Sequence, residues 1–252
     1  MPRTAAVQEF TVAHLARRPG AVEVGGFVAG FDPATTSPYV NYATPKPGSE
    51  PTAQDVTALI AAFRERGLVP RLEFAPEAAP AVEPALRRAG FVTEARHEVL
   101  LCTPETLTVP AAGAPDVEVP STEAEFAAVD EALAEAFGGE WPPSAEGAAR
   151  LRRTEENGGA VRFVRAGDGS CAGAALCTAP ALGTAELASV GTRPAHRGRG
   201  VAAAVTHALA RTAYARGAES VWLEYTGEGS RRVYERVGFR PHSGRLYLRL
   251  DG

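Results

Sequence analysis

The stretch Arg197-Gly198-Arg199-Gly200-Val201-Ala202 decides how the rest of the chain is read. Before it, Glu186 to Thr192 reads as a strand. After it, Val201, Val205, Ala208, Leu209 and Thr212 form the apolar face of a helix, which Gly217 caps. Helix starts leave backbone N–H groups unpaired and carry partial positive charge, so they attract anions. Here two glycines let the backbone come close to a ligand, and Arg197 and Arg199 add charge. A basic glycine loop between a strand and an amphipathic helix is the pattern of a phosphate site.

Working outward, the surrounding segment alternates strands and helices. Val117–Val119 reads as a short strand. Phe126, Val129, Leu133 and Phe137 mark one face of a helix over 122–136, and a second helix spans about Ser144 to Glu156. Ala160–Arg165 and Cys171–Cys177 form a hairpin across Gly167-Asp168-Gly169. Val221–Tyr225 is a strand, Ser230–Val237 a short helix ended by Gly238, and Arg245–Leu250 a last strand. The class is mixed α/β (α+β).

The first half echoes this order at nearly constant offset. Pro45 lies 149 positions before Pro194, Arg66-Gly67 lies 150 before Arg216-Gly217, and Leu72-Glu73-Phe74 lies 151 before Leu223-Glu224-Tyr225. Ala89-Gly90-Phe91 lies 148 before Val237-Gly238-Phe239. Between them Val56, Leu59, Ile60 and Phe63 give a helix face. The Pro/Ala/Gly-rich run Val109–Pro115 is the natural linker. The expected division is a first domain over 1–108, a linker over 109–116 and a second domain over 117–252. Each domain would be a mixed, mostly antiparallel sheet flanked by helices.

The 252 residues allow one large or two small domains. A net charge of −4, with Lys46 the only lysine, gives no basic surplus for nucleic acid. Cys102, Cys171 and Cys177 are odd in number and lack metal-ligand spacing, which fits free thiols in a reducing compartment and no metal. Met1-Pro2-Arg3-Thr4 lacks the apolar core of a signal peptide, and no run of about 18 apolar residues could span a membrane. The expected location is cytoplasmic, as a monomer or homodimer.

The loop resembles the GNAT N-acetyltransferase signature: Arg or Gln, two residues, Gly, one residue, Gly or Ala. Arg197, Gly200 and Ala202 match it. Tyr234-Glu235-Arg236-Val237-Gly238-Phe239 is similar to the Tyr-Glu-x-x-Gly-Phe run with which that family tends to close. The resemblance covers 117–252 well and the first half only in outline. It implies that acetyl-CoA lies in a V between two splayed parallel strands, Glu186–Thr192 and Val221–Tyr225. Main chain at Val190, Gly191 and Thr192 would run beside the pantetheine. Arg197, Gly198, Arg199, Gly200, Val201 and Ala202 would hold the diphosphate.

The chemistry implied is direct transfer of an acetyl group to a primary amine of a small molecule or peptide. A neutral amine must lose a proton as it attacks the thioester. Glu186 stands eleven residues before Arg197, a spacing that matches the catalytic glutamate of some members. Glu224 on the facing strand is the alternative. A carboxylate with the ordinary value of about 4.3 needs burial or an intervening water for this task. Tyr234 is the expected acid for the departing thiolate. Phe137 and Trp141, in the loop between the first two helices, would line the acceptor pocket with Glu224, while His196 and His242 read as bystanders. Many members carry Asn seven residues before the tyrosine; this chain has Gly227. A non-catalytic acetyl-CoA sensor, or another acyl-CoA or acceptor, is the alternative reading.

Carried back by the same offsets, Arg197 becomes Gly48, Arg199 becomes Glu50, Gly200 becomes Pro51, Glu186 becomes Ser37 and Tyr234 becomes Leu86. Proline has no N–H to offer and glutamate repels phosphate. The first half is therefore expected to be a degenerate copy without a cofactor loop.

Overall fold

The computed structural model describes residues 3–139 and 142–251. In chain order it contains α1 (Arg3–Ala16), β1 (Val22–Val24), β2 (Phe27–Gly30), β3 (Tyr42–Pro45), α2 (Ala53–Arg64), β4 (Arg71–Phe74), α3 (Val82–Arg88) and β5 (Val92–Cys102). Then follow α4 (Glu123–Ala136), α5 (Ala145–Glu156), β6 (Ala160–Arg165), β7 (Cys171–Cys177), β8 (Thr184–Thr192), α6 (Val201–Ala215), β9 (Ser220–Tyr225), α7 (Gly227–Val237) and β10 (Arg240–Arg249). Two compact units result: Met1–Val99 with His242–Gly252, and Leu100–Pro241.

In the first unit, β1, β2 and β3 pair antiparallel, and α2 carries the chain over to β4, which is parallel to β3. Every residue of β2, β3 and β4 is buried. Phe27, Leu59, Phe63, Leu72, Phe74 and Leu86 fill one apolar core. Gln8 of α1 is buried but fully employed: its amide donates to Thr44 Oγ1 (2.8 Å) and the Pro45 carbonyl (2.7 Å) and accepts from the Ala75 N–H (2.9 Å). Arg71, only 1% exposed, is neutralised by Glu73 and by Glu94 at 2.6 Å.

The linear boundary expected from the sequence is corrected at the C-terminus. The last strand, placed in the second domain by order, pairs antiparallel with β4, Leu246 opposite Phe74 and Leu248 opposite Leu72. Leu246 and Leu248 complete the first unit's core, and Arg245 reaches Glu73 at 3.4 Å. Leu100 and Cys102, from the end of β5, conversely belong to the second unit's core. A reading by chain order assigns both segments to the wrong unit.

The second unit repeats the first unit's plan. β6, β7 and β8 pair antiparallel, α6 crosses over, and β9 runs parallel to β8. Even the helix ends match. The Phe91 N–H donates to the Leu86 carbonyl as that of Phe239 does to Tyr234, and Leu68 donates to Phe63 as Ala218 does to Ala213. α4 and α5 cover one face through Phe126, Val129, Leu133, Val161, Phe163 and Ala174. α6 and α7 cover the other through Val205, Leu209, Val237, Ala185, Leu187 and Leu223. Thr122 and Glu125 form a reciprocal capping box at the start of α4, and Ser144 caps α5.

Two local expectations change. Val117–Val119 is not a strand but a single bridge between Glu118 and Phe163. α7 begins at Gly227, three residues before the predicted Ser230. The three cysteines are free and buried, and burial pushes the Cys171 thiol up to about 11 and Cys177 to about 12, so both stay protonated.

Candidate active site

The loop at the end of β8 turns through Pro194–His196 into α6. Gly198 and Gly200 have φ of 77° and 81°, a region that costs a side-chain-bearing residue roughly 1–2 kcal/mol. Gly200 is the N-cap of α6 and offers no side chain to the helix. No acidic residue stands in the first turn. The first-turn N–H groups, from Val201 onward, therefore keep their capacity for an outside acceptor.

The corresponding helix of the first unit is closed. Thr52 caps α2, accepting from the Asp55 N–H (3.2 Å), while the Asp55 carboxylate accepts from the Thr52 N–H (2.8 Å). The Thr52 hydroxyl, donating at 2.7 Å, and then the Thr52 N–H hold the Asp55 carboxyl below the usual carboxylate range. The helix thus carries its own anion where α6 leaves the place open. Glu50 and Pro51 precede the cap, as the sequence predicted.

β8 and β9 pair from Thr184–Ser220 to Glu186–Trp222 and then part, although β8 continues to Thr192 and β9 to Tyr225. Along its other edge, β8 carries a bulge. Leu176 faces Ala188 and Ala174 faces Gly191, so one residue of β7 opposes two of β8, Ser189 and Val190. Ser189 sits at φ 52° to make it. The bulge turns Gly191 toward α4, where a Cβ would lie 2.9 Å from Leu133 Cδ2, and leaves Val190 against the α6-side core. Gly173 of β7 must lack a side chain, since a Cβ there would come within 2.5 Å of the Gly191 oxygen.

Register assigns the candidate side chains to faces. Residues paired in a parallel ladder point the same way, and alternate residues share a face. Ala185 and Leu187 belong to the α6 side, so Glu186 lies on the α4 side. Glu224, two residues beyond Trp222, lies on that side as well. Glu186 is held by its backbone: its N–H donates to Thr178 Oγ1 (2.9 Å), and its carbonyl accepts from the Thr178 N–H (2.9 Å). Phe137, 61% exposed at the end of α4, reaches to 3.5 Å from a Cβ built on Gly191. Three of the named residues thus share one face. Trp141 lies outside the described residues.

Tyr234 lies on the opposite face, 7% exposed, its ring edge-to-face with Phe239 at 6.2 Å. Burial pushes its phenol up to about 12. The carboxylates and the phenol therefore flank the strand cleft from its two sides.

Arg197 stands at the start of the glycine loop. Its guanidinium donates to the Thr192 carbonyl (3.3 Å) and to the Ala136 carbonyl at the end of α4 (3.2 Å), so it ties the loop to that helix. Arg193, which sequence reasoning passed over, does similar work through Glu131 and Glu135, both at 3.3 Å. Arg199 is exposed. His196 sits in the turn before the loop, and His242 falls in the first unit. Gly173 had a signal, a glycine inside a strand; the bulge at Ser189 had none. Among the described residues no group of three or more His, Cys, Asp or Glu could hold a metal ion, and no helix is long and apolar enough to cross a membrane.

Residues 126–239 match the acetyltransferase (GNAT) family. Among solved structures, the chain resembles a GCN5-related N-acetyltransferase from Kribbella flavida over 100% of its length and 97% of that protein's, at 23% identity and a TM-score of 0.79. A putative GNAT-family acetyltransferase from Novosphingobium aromaticivorans matches 96% of this chain and 97% of its own, at 24% identity and a TM-score of 0.59. A tandem GNAT protein from the clavulanic acid biosynthesis pathway matches 100% of this chain and 89% of its own, at 11% identity and a TM-score of 0.61. At these identities the structures speak for the fold. No curated protein sequence matches the chain.

Proposed function

We propose that this chain, whose second unit carries a GNAT-family domain, is an acetyl-CoA-dependent N-acetyltransferase with a single active site in that unit. The observation that carries the reading is the cleft that opens past Glu186–Trp222 and ends on the glycine-capped, acid-free start of α6. These residues fit a thioester-linked nucleotide: N–H groups for a diphosphate at Gly200–Ala202, and an extended strand at Val190–Thr192 beside which a pantetheine arm lies. Acetyl-CoA supplies the activated acyl group.

The rest of the chemistry falls to the chain. Glu186 or Glu224, directly or through water, takes the proton from a primary amine arriving on the α4 face beside Phe137. A backbone N–H near Val190 stabilises the oxyanion. Tyr234, neutral at any ordinary pH, donates to the departing thiolate from the α6 face. The first unit, its α2 closed by Asp55, serves as a scaffold without a cofactor. The acceptor is a small molecule or peptide amine, and the protein acts in the cytoplasm as a monomer or homodimer.

Titration calorimetry with acetyl-CoA, followed by a thiol-release assay over an amine panel, tests this. One molecule bound per chain with amine-dependent thiol release is the expected result. Binding without release for any amine would make the protein a sensor, and two molecules bound per chain would overturn the scaffold role of the first unit.

A further inference from the structure

Pro45 interrupts the parallel ladder of the first unit. Ala43 of β3 pairs with Leu72 of β4, and the same register carried on by two residues sets Pro45 opposite Phe74. A ladder continued there would run from an N–H at position 45 to the Glu73 carbonyl, and from the Ala75 N–H to the Pro45 carbonyl. Proline has no N–H, so the first of these bonds cannot form. The Glu73 carbonyl accepts instead from the Thr44 hydroxyl at 2.8 Å.

The second bond is relayed through a side chain of α1. Gln8 Nε2 donates to the Pro45 carbonyl at 2.7 Å, and Gln8 Oε1 accepts from the Ala75 N–H at 2.9 Å. Nε2 also donates to Thr44 Oγ1 at 2.8 Å, so one amide group meets both substitutes for the lost ladder. Its orientation is dictated: reversed, it would set N–H against N–H and oxygen against oxygen. Gln8 and Ala75 are each 1% exposed, so water does not offer these groups an alternative partner.

The bonding pattern is that of a ligand. An amide that donates to one strand and accepts from its neighbour does what an extended main chain does when it enters a sheet. The rest of the buried face of α1 is Val7, Phe10 and Leu15, with the Thr11 hydroxyl accepting from Arg245 at 3.3 Å. Gln8 is thus the side chain through which α1 bonds to β3 and to the end of β4. We infer that the gap between the ends of β3 and β4 is a binding site for an amide, occupied by the chain's own Gln8. This internal ligand locks α1 onto the sheet and keeps the first unit's cleft shut at the strands, as Asp55 keeps it shut at the start of α2. The assignment does not depend on acetyl-CoA or on any reaction of the second unit.

The test follows the Ala75 amide by hydrogen exchange in the full chain. The Phe91 amide, bonded to the Leu86 carbonyl at 3.1 Å, serves as the reference. Gln8→Ala should speed exchange at Ala75 about tenfold more than at Phe91 and lower the melting temperature. Acetamide, which donates and accepts as the lost side chain did, should restore protection of Ala75 in this variant. N,N-dimethylacetamide, which has no N–H, should not. Gln8→Met fills the space without hydrogen-bonding groups, so it tests the same bond even if Gln8→Ala does not fold. It should leave the Ala75 amide unprotected. Protection retained in Gln8→Met overturns the inference. So does recovery of Gln8→Ala with neither amide, or with dimethylacetamide as well as with acetamide.

Discussion

Glu186 of β8 and Trp222 of β9 are the last residues to pair in the parallel ladder of the second unit, although both strands run on. Past this pair the two strands no longer pair with one another, and β8 carries a bulge at Ser189 on its β7 side. A cleft made this way is lined by main chain, so it can take an extended, amide-bearing ligand as a sheet takes a strand.

The open start of α6 is the first point to test. Gly200→Asp puts a carboxylate at the start of the helix, as Asp55 does in the first turn of α2 behind the Thr52 cap. Helices tolerate aspartate at the cap, and at most about 1–2 kcal/mol is lost to its left-handed backbone. The domain should still melt cooperatively while the Kd for acetyl-CoA rises more than about tenfold by repulsion and occupation of the N–H groups. Unchanged affinity would remove the loop from the site.

Tyr234→Phe keeps the ring packing against Phe239 and deletes only the hydroxyl. Turnover should fall by about a hundredfold, a common loss for a missing general acid, with the KM for acetyl-CoA within about threefold. Because burial pushes the phenol up to about 12, the wild-type rate should show no alkaline limb from this group below about pH 11. An unaltered rate in the Tyr234→Phe variant would return Tyr234 to packing alone.

Glu186→Gln and Glu224→Gln separate the two carboxylates on the α4 face. The variant that removes the base should lose about a hundredfold in kcat together with the acidic limb of the pH–rate profile. The other should change KM for the amine instead. Retention of that limb in both variants would assign proton removal to another group.

Arg197→Ala breaks the link from the loop to the Thr192 and Ala136 carbonyls. Each exposed bond is worth about 1 kcal/mol or less, so stability should drop only slightly. The KM for acetyl-CoA should rise several-fold, and Arg197→Lys should recover part of it because an ammonium can reach one carbonyl. A salt dependence identical in wild type and the alanine variant would agree with a positioning rather than a phosphate-binding guanidinium.

Acid should weaken the first unit through His14. Burial holds its imidazole down from 6.5 to about 4, with Arg18 and Arg17 adding to the effect. Between those values the unfolded chain binds a proton that the folded unit does not, so stability is full above about pH 6.5 and falls as pH drops toward about 4. His14→Gln should flatten denaturation midpoints across that window; an equal slope in both proteins would acquit His14.

Much of the second unit was legible because its signals are local. The Phe126–Val129–Leu133 spacing, the Thr122 and Ser144 caps, the Gly167–Gly169 turn and the Gly217 and Gly238 stops all act within a few residues. The internal repeat was legible too, since equal turns recur where equal helices end. α1 went unread although Val7, Phe10 and Leu15 are spaced for it, because Gln8 and Thr11 interrupt the buried face, and Gln8 finds its partners far away in sequence.

The sequence by itself determined the glycine loop before α6, most of the order of elements in the second half, and the lack of a matching glycine loop in the first half, because each is written in backbone preferences of glycine and proline. Only the tertiary structure decided that β10 pairs with β4 in the first unit's sheet, that Glu186 and Glu224 share a face opposite Tyr234, and that Arg197 bonds the end of α4. Those depend on strand register and on which carbonyls come within reach, quantities set by long-range pairing that a one-residue slip would invert.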